Sequence, residues 1–124
     1  MFAACTERGD CPLEEFLGSL GRQFESSLNG MMAMLDYVAL RGPPRNMELS
    51  HQLRGAIYEF IKGRIRVFYF YGRGREIICT HGLVKKSQKT KSADIEYAEQ
   101  VRLAFRTAVA AGKLKILNEE DNDT

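Results

Sequence analysis

In the first third of the chain, apolar residues recur in steps of three and four. Leu13, Phe16, Leu17 and Leu20 follow the i, i+3, i+4, i+7 spacing of a helix with one buried face. Pro12 suits a first helical turn, and Glu14 and Glu15 suit its positive end, so a helix is expected from Asp10 or Cys11 to a stop at Gly21. Phe24, Leu28, Met31, Leu35 and Val38 continue the 3.6-residue period and predict a second helix over about residues 22–40. Arg41-Gly42-Pro43-Pro44 closes it. The link between the two helices is near-minimal, which predicts an antiparallel helical hairpin. Ahead of both, residues 2–6 read as a short first strand.

Residues 43–54 read as a polar connector, after which the period changes to two. Residues 56–61 (AIYEFI) predict a strand, and Lys62-Gly63 a tight turn. Residues 64–71 (RIRVFYFY) form the strongest strand pattern, dense in aromatic and β-branched side chains. Gly72-Arg73-Gly74 marks a second hairpin turn, and residues 76–84 (EIICTHGLV) a third strand. After a basic loop at 85–91, Ser92 can cap a last helix over about 93–111, with Ile95, Ala98, Val101, Phe105 and Ala108 on its inner face. Gly112 ends it, leaving an acidic tail at 113–124. The order (β)-α-α-β-β-β-α indicates an α+β fold: one domain over residues 1–112, with helices on one face of a small, mostly antiparallel sheet and the other face free as a working surface.

Composition narrows the class. With 44% apolar and 27% charged residues over 124 positions, the chain is an ordinary globular one. No apolar run approaches the ~20 residues of a membrane span. The opening residues lack the basic and apolar regions of a signal peptide. Cys5, Cys11 and Cys79 suggest neither a disulfide framework nor a metal-binding pair, so a reducing cytoplasm is expected. The formal charge is only +2, but it is segregated. Between Arg41 and Lys91, twelve basic residues stand against Glu48, Glu59 and Glu76, a local balance of +9 that leaves −7 elsewhere. That asymmetry points to a polyanion-binding surface.

Candidate chemistry clusters in the basic half. By period two, Arg64, Arg66, Phe68 and Phe70 share one face of the middle strand. Arginine rarely faces a core, so Arg64 and Arg66 are expected on the open face. The bland alternative is that they only keep an exposed strand hydrated. His81 lies near the end of the next strand, with Lys85, Lys86 and Lys89 directly after it. Neighbouring cations favour the neutral imidazole, which can accept a proton. A hydrogen-bonded structural histidine is the alternative reading. The loop KKSQKTK offers point charges suited to phosphate. Tyr58, Phe60, Phe68 and Tyr69 could stack on unpaired bases, although the core also needs aromatics. His51 reads as incidental, and Glu59 as the partner of a nearby arginine. There is no glycine-rich nucleotide fingerprint, metal-ligand spacing or nucleophile triad.

The stretch IYEFIKGRIRVFYFYGRGREIICTHGLVKKSQKTKSADIEYAEQVR resembles the phage-derived, HigB-like branch of the RelE/ParE toxin superfamily. The resemblance rests on Tyr58 and Glu59, Arg66 with Tyr69, His81-Gly82, and Lys85, Lys86, Gln88, Lys89 and Thr90; it spans about residues 9–108. Three positions depart from the family pattern. Ile61 stands where an arginine is common, Leu83 replaces a phenylalanine, and Lys91 replaces a proline.

The resemblance implies a RelE-like fold and the toxin of a type II toxin–antitoxin pair. Its activity would be that of an mRNA interferase, often on ribosome-bound message. The ribose 2′-hydroxyl would attack the adjacent phosphate and leave a 2′,3′-cyclic phosphate, with no metal or other cofactor. On this reading Arg66 and Lys85 hold the phosphate and His81 transfers the proton. Arg64, Lys86, Gln88, Lys89 and Tyr69 bind the RNA. The expected partners are a helix-turn-helix antitoxin, whose acidic residues suit the basic face, together with mRNA and the ribosome. The rivals are a non-catalytic nucleic-acid-binding module, a ParE-like gyrase inhibitor and an inactive prophage remnant.

Overall fold

The computed structural model describes residues 1–5, 9–74, 76–86 and 92–112. Its elements are β1 (Phe2–Ala3), α1 (Pro12–Ser19), a 3-10 turn (Arg22–Phe24), α2 (Glu25–Arg41), β2 (Ser50–Arg54), β3 (Ile57–Lys62), β4 (Ile65–Tyr71), β5 (Ile77–Val84) and α3 (Ser92–Ala110). The five strands form one sheet in the order β1-β5-β4-β3-β2. β1 runs parallel to β5, and the other pairings are antiparallel. The fold is α+β. The proposed division at residue 112 and the acidic tail beyond it lie outside the described residues.

Local chemistry sets the boundaries. Pro12 opens α1 directly after Cys11, and the helix stops where Leu20 turns extended. α2 ends when Gly42 takes φ +82 and its N–H returns to the carbonyl of Val38 at 2.8 Å. The connector read at 43–54 holds a strand. Asn46 builds a turn by accepting the Glu48 N–H on its side chain, and the Ser50 N–H on its carbonyl. β2 then pairs with β3 as an edge strand. Its only strongly apolar residue is Leu53, so no alternation announced it.

Each face of the sheet carries a core. Phe60, Ile65, Val67 and Tyr69 pack with Leu13, Met31, Leu35 and Val38 of α1 and α2. Ile57, Phe68, Phe70 and Ile78 pack with Ala98, while Ile95 and Phe105 lean on them from α3. The second face is therefore covered, against the expectation of a free working surface: α3 lies across it, making three layers. Ile95, Ala98 and Phe105 of the expected α3 stripe pack on the sheet, but a stripe only says that a helix is covered on one side. It does not say which side of the sheet covers it.

Two further features depart from expectation. Cys5 and Cys11 are joined by a disulfide, with their Cα atoms 4.2 Å apart, which ties the chain after β1 to the start of α1. The pairing brings together residues that spacing alone did not suggest. In the β4–β5 ladder Val67 faces Gly82 and Tyr69 faces Cys79. Two residues of β5, Thr80 and His81, thus oppose Phe68 alone, a β-bulge. The bulge puts His81 on the α3 face, where its ring stacks on Phe68 with centroids 4.6 Å apart. Gly82 consequently faces α1, so close that a Cβ there would meet the Phe16 ring at 2.5 Å.

Candidate functional site

The α3 face of the sheet carries a row of polar residues at the end where β3 turns into β4. His51 opposes Glu59, and Glu59 opposes Phe68. Arg66 opposes Ile61 on one side and Leu83 on the other. Glu59 and His81 are thus diagonal neighbours of Arg66 across their strand pairs, a spacing that long side chains span.

His81 is closely held. Its Nδ1 lies 2.9 Å from the Thr80 hydroxyl, the two brought together by the bulge. Tyr97 of α3 packs edge-on against the ring, opposite Phe68. Asp94 Oδ1 stands 3.9 Å from Nε2, too far for a hydrogen bond but near enough for charge to act. Burial pushes the His81 pKa below the ordinary 6.5, and Asp94 opposes that shift. The neutral imidazole expected from neighbouring lysines is therefore favoured, but by desolvation.

Arg66 is half-buried. Its Nη1 donates to the carbonyls of Gly63 at 2.7 Å and Ile65 at 3.1 Å, folding part of the guanidinium back onto the turn. Burial lowers its pKa, while the Glu59 charge raises it. Glu59 is itself only 1% exposed. One carboxylate oxygen sits 3.0 Å from Nε2 of His51, and the His51 Nδ1 lies 3.0 Å from the Met47 carbonyl. Three buried polar side-chain atoms have no hydrogen-bond partner among the described residues: Glu59 Oε2, Arg66 Nε and His81 Nε2. All three belong to this one row. An unpaired buried polar atom costs about 1–3 kcal/mol, and more when charged, so three in one row single it out as the candidate site.

The remaining predicted residues divide. Lys85 and Lys86 follow β5 directly, Lys85 half-buried and Lys86 exposed. Lys85 is anchored by its backbone N–H, which donates to the Arg64 carbonyl at 2.7 Å. Arg64 does not share the face of Arg66. It lies in the turn before β4, with its guanidinium carbon 5.9 Å from the Phe24 ring centroid and its Nε donating to the Lys85 carbonyl. Tyr69 is a correction. It is 1% exposed in the opposite core, stacked on Phe60, with its hydroxyl 2.7 Å from that of Ser50. Burial drives its pKa upward, and no RNA base can reach it. Phe60 is equally enclosed on that side, and Tyr58 packs there too; of the four aromatics considered for stacking, only Phe68 faces the site. Gln88 and Lys89 lie outside the described residues.

A family model matches residues 22–102, from the 3-10 turn to the middle of α3. That model is the phage-derived protein Gp49-like family (DUF891). The chain belongs to the Gp49-like family. The match covers roughly two-thirds of the chain, somewhat less than the span over which the sequence resemblance was drawn. No curated protein matches the chain. The Gp49-like family is a phage-derived family of RelE- and HigB-like toxins, which agrees with the resemblance at the level of the toxin family. Every residue of the polar row falls inside the Gp49-like match, as do Lys85 and Lys86.

Three residues that the sequence did not point to join this polar row: His51, Asp94 and Tyr97. His51 was read as incidental because β2 was not recognised, so its register against Glu59 could not be drawn. Asp94 and Tyr97 sit on α3, which was not placed on this face. An open cleft of about 610 Å³ lies at the far end of α3, between the β4–β5 turn and Phe105 and Arg106. None of the predicted site residues lines it.

Proposed function

We propose that the chain is a toxin acting as an mRNA interferase, cutting RNA through its own 2′-hydroxyl, most effectively on ribosome-bound message. The observation that carries this reading is the pairing of a desolvated His81, its Nε2 without a hydrogen-bond partner among the described residues, with a cationic Arg66 on the same face. The nucleophile belongs to the substrate, so the protein must orient the strand, move a proton and stabilise charge.

In the step we envisage, the 2′-oxygen attacks phosphorus while its proton passes to His81 Nε2. The P–O5′ bond breaks, a 2′,3′-cyclic phosphate forms, and the departing 5′-oxygen is protonated from the solvent side, where Lys85 and Lys86 lie. The Thr80 hydroxyl fixes the ring, and Asp94 steadies the imidazolium that forms. Arg66 and Lys85 stabilise the charge on the phosphoryl oxygens, while Lys86, Lys89, Arg64 and Gln88 guide the backbone. A cytoplasmic setting, which follows from a ribosome-bound substrate and no longer from the cysteines, since Cys5 and Cys11 pair, and a helix-turn-helix antitoxin with an acidic segment complete the proposal.

The test is purified protein incubated with a translating extract in the presence of EDTA. Defined cuts with 2′,3′-cyclic phosphate ends support the proposal, and Arg66→Ala, still folded by circular dichroism, should lower the rate on the order of 10²-fold or more. RNA binding without cleavage would make the chain a binding module instead. Inhibition of gyrase without cleavage would point to a ParE-like target. If neither activity appears and expression is harmless, the chain is an inactive remnant.

A further inference from the structure

Of the three unpaired buried atoms, two are complementary. Glu59 Oε2 is an acceptor with no donor among the described residues, and Arg66 Nε is a donor with no acceptor. They lie on one face of adjacent strands, in diagonal register. Glu59 cannot reach solvent, and its other oxygen is fixed by His51, an edge-strand residue anchored in turn to the Met47 carbonyl. The carboxylate is thus held from behind, with one oxygen left over. Arg66, by contrast, now spends Nη1 on the carbonyls of its own turn.

We propose that the His51–Glu59 pair is a positioning device for Arg66: the open carboxylate oxygen takes the Arg66 Nε–H when a phosphodiester arrives, swinging the Nη fork off the Gly63 carbonyl and toward the phosphate beside His81. This deepens the nuclease reading and rests on it. Burial of Glu59 makes the contact strong, because water cannot compete for either group. It also gives the orphaned oxygen a use that an ion pair with His51 alone does not. Glu59 is a positioning residue here, since it acts on the substrate only through Arg66.

The experiment has two arms, both on the full chain. In the first, the Arg66 Nε–Hε cross-peak is followed by NMR as an RNA oligonucleotide carrying a single 2′-deoxy residue at the cleavage position is added. The peak is expected to move to a hydrogen-bonded position with slowed exchange in the wild type, and to fail to do so in Glu59→Gln. An Nε peak that responds alike in both proteins would overturn the proposal, whether or not the protein cuts RNA. In the second arm, Glu59→Gln is expected to lower kcat by on the order of tenfold to a hundredfold, with KM within about twofold. In an Arg66→Ala background the same change should cost less than about twofold, because its route of action has gone. An equal loss in both backgrounds would mean a merely structural carboxylate. His51→Gln, which loosens Glu59 from a partly exposed position, should reproduce the first-arm result in weaker form if Glu59→Gln fails to fold. Absence of cleavage by the wild type would sink the nuclease reading while leaving the first arm decisive for the pair.

Discussion

His81 makes a charge-sensitive point where its ring is held between Phe68 and Tyr97. Its folded-state pKa lies below 6.5 because Phe68 and Tyr97 enclose the ring. Between that lowered value and 6.5 the unfolded chain binds more protons than the folded one, so the stability contributed by the neutral ring is complete above 6.5 and is lost as pH falls through the folded value. Urea midpoints should therefore decline on acidification, and His81→Gln should flatten that decline. A variant as acid-sensitive as the wild type would move the effect to another group. The neighbouring Gly82 is fixed by a different force. Its substitution by alanine drives a Cβ toward Phe16 and toward the Arg66 carbonyl, 3.1 Å away. The expected loss is about 1–3 kcal/mol by urea unfolding, with partial recovery on adding Phe16→Ala. Cys79 is sealed in the sheet, its thiol pushed up to about 12 by burial.

At the level of elements, the bulge and the disulfide carry the consequences. The β4 strand was legible because β-branched and aromatic side chains fill it from Ile65 to Tyr71. In β5 the alternation is broken at Thr80, and no composition rule announces an extra residue. Strict period two would send His81 to the face of Cys79, so its company with Arg66 depends on a backbone irregularity that only the ladder reveals. Phe68 and Tyr69 are adjacent aromatics that period two already assigns to opposite faces, and only Phe68, on the face of Arg66, meets His81. Deletion of Thr80 should restore a regular ladder and keep His81 on its face, but strip Nδ1 of its hydroxyl partner. Cleavage by that variant should fall on the order of tenfold while the fold persists, as measured by rate and circular dichroism together. The Cys5–Cys11 link closes a short loop, and opening it should cost about 2 kcal/mol in the chain-entropy account. Differential scanning with and without a phosphine reductant checks this. Maleimide labelling of the reduced, folded protein should modify Cys5 but leave the buried Cys79 untouched.

For the whole molecule, the segregated charge and the layered fold divide the surface. The α+β class and the element order were readable because each long element has one clear period. The three-layer arrangement was not, since the stripe of α3 fits either face of the sheet. The basic end formed by the β3–β4 turn and the segment after β5 gathers Arg64, Arg66, Lys85 and Lys86, whereas Arg73 sits at the opposite end of β4. RNA affinity measured by anisotropy should drop steeply with added salt, the slope decreasing by about one phosphate contact for Lys86→Ala. Arg73→Ala should leave the rate of cleavage within about twofold, because it stands away from the polar row. Equal losses for both substitutions would mean that RNA engages the molecule along its length.

The position of α3 in the chain bears on how the protein is made. Strands β3, β4 and β5 leave the ribosome before the helix that covers Phe68 and Phe70. At about 5–20 residues per second, the stretch from Lys85 to Ala110 takes on the order of seconds to synthesise. During that interval one aromatic sheet face is bare and the wall around His81 lacks Asp94 and Tyr97. The nascent chain is thus both sticky and unfinished until its last described helix emerges, so a stop codon shortly before Ser92 should yield insoluble chains.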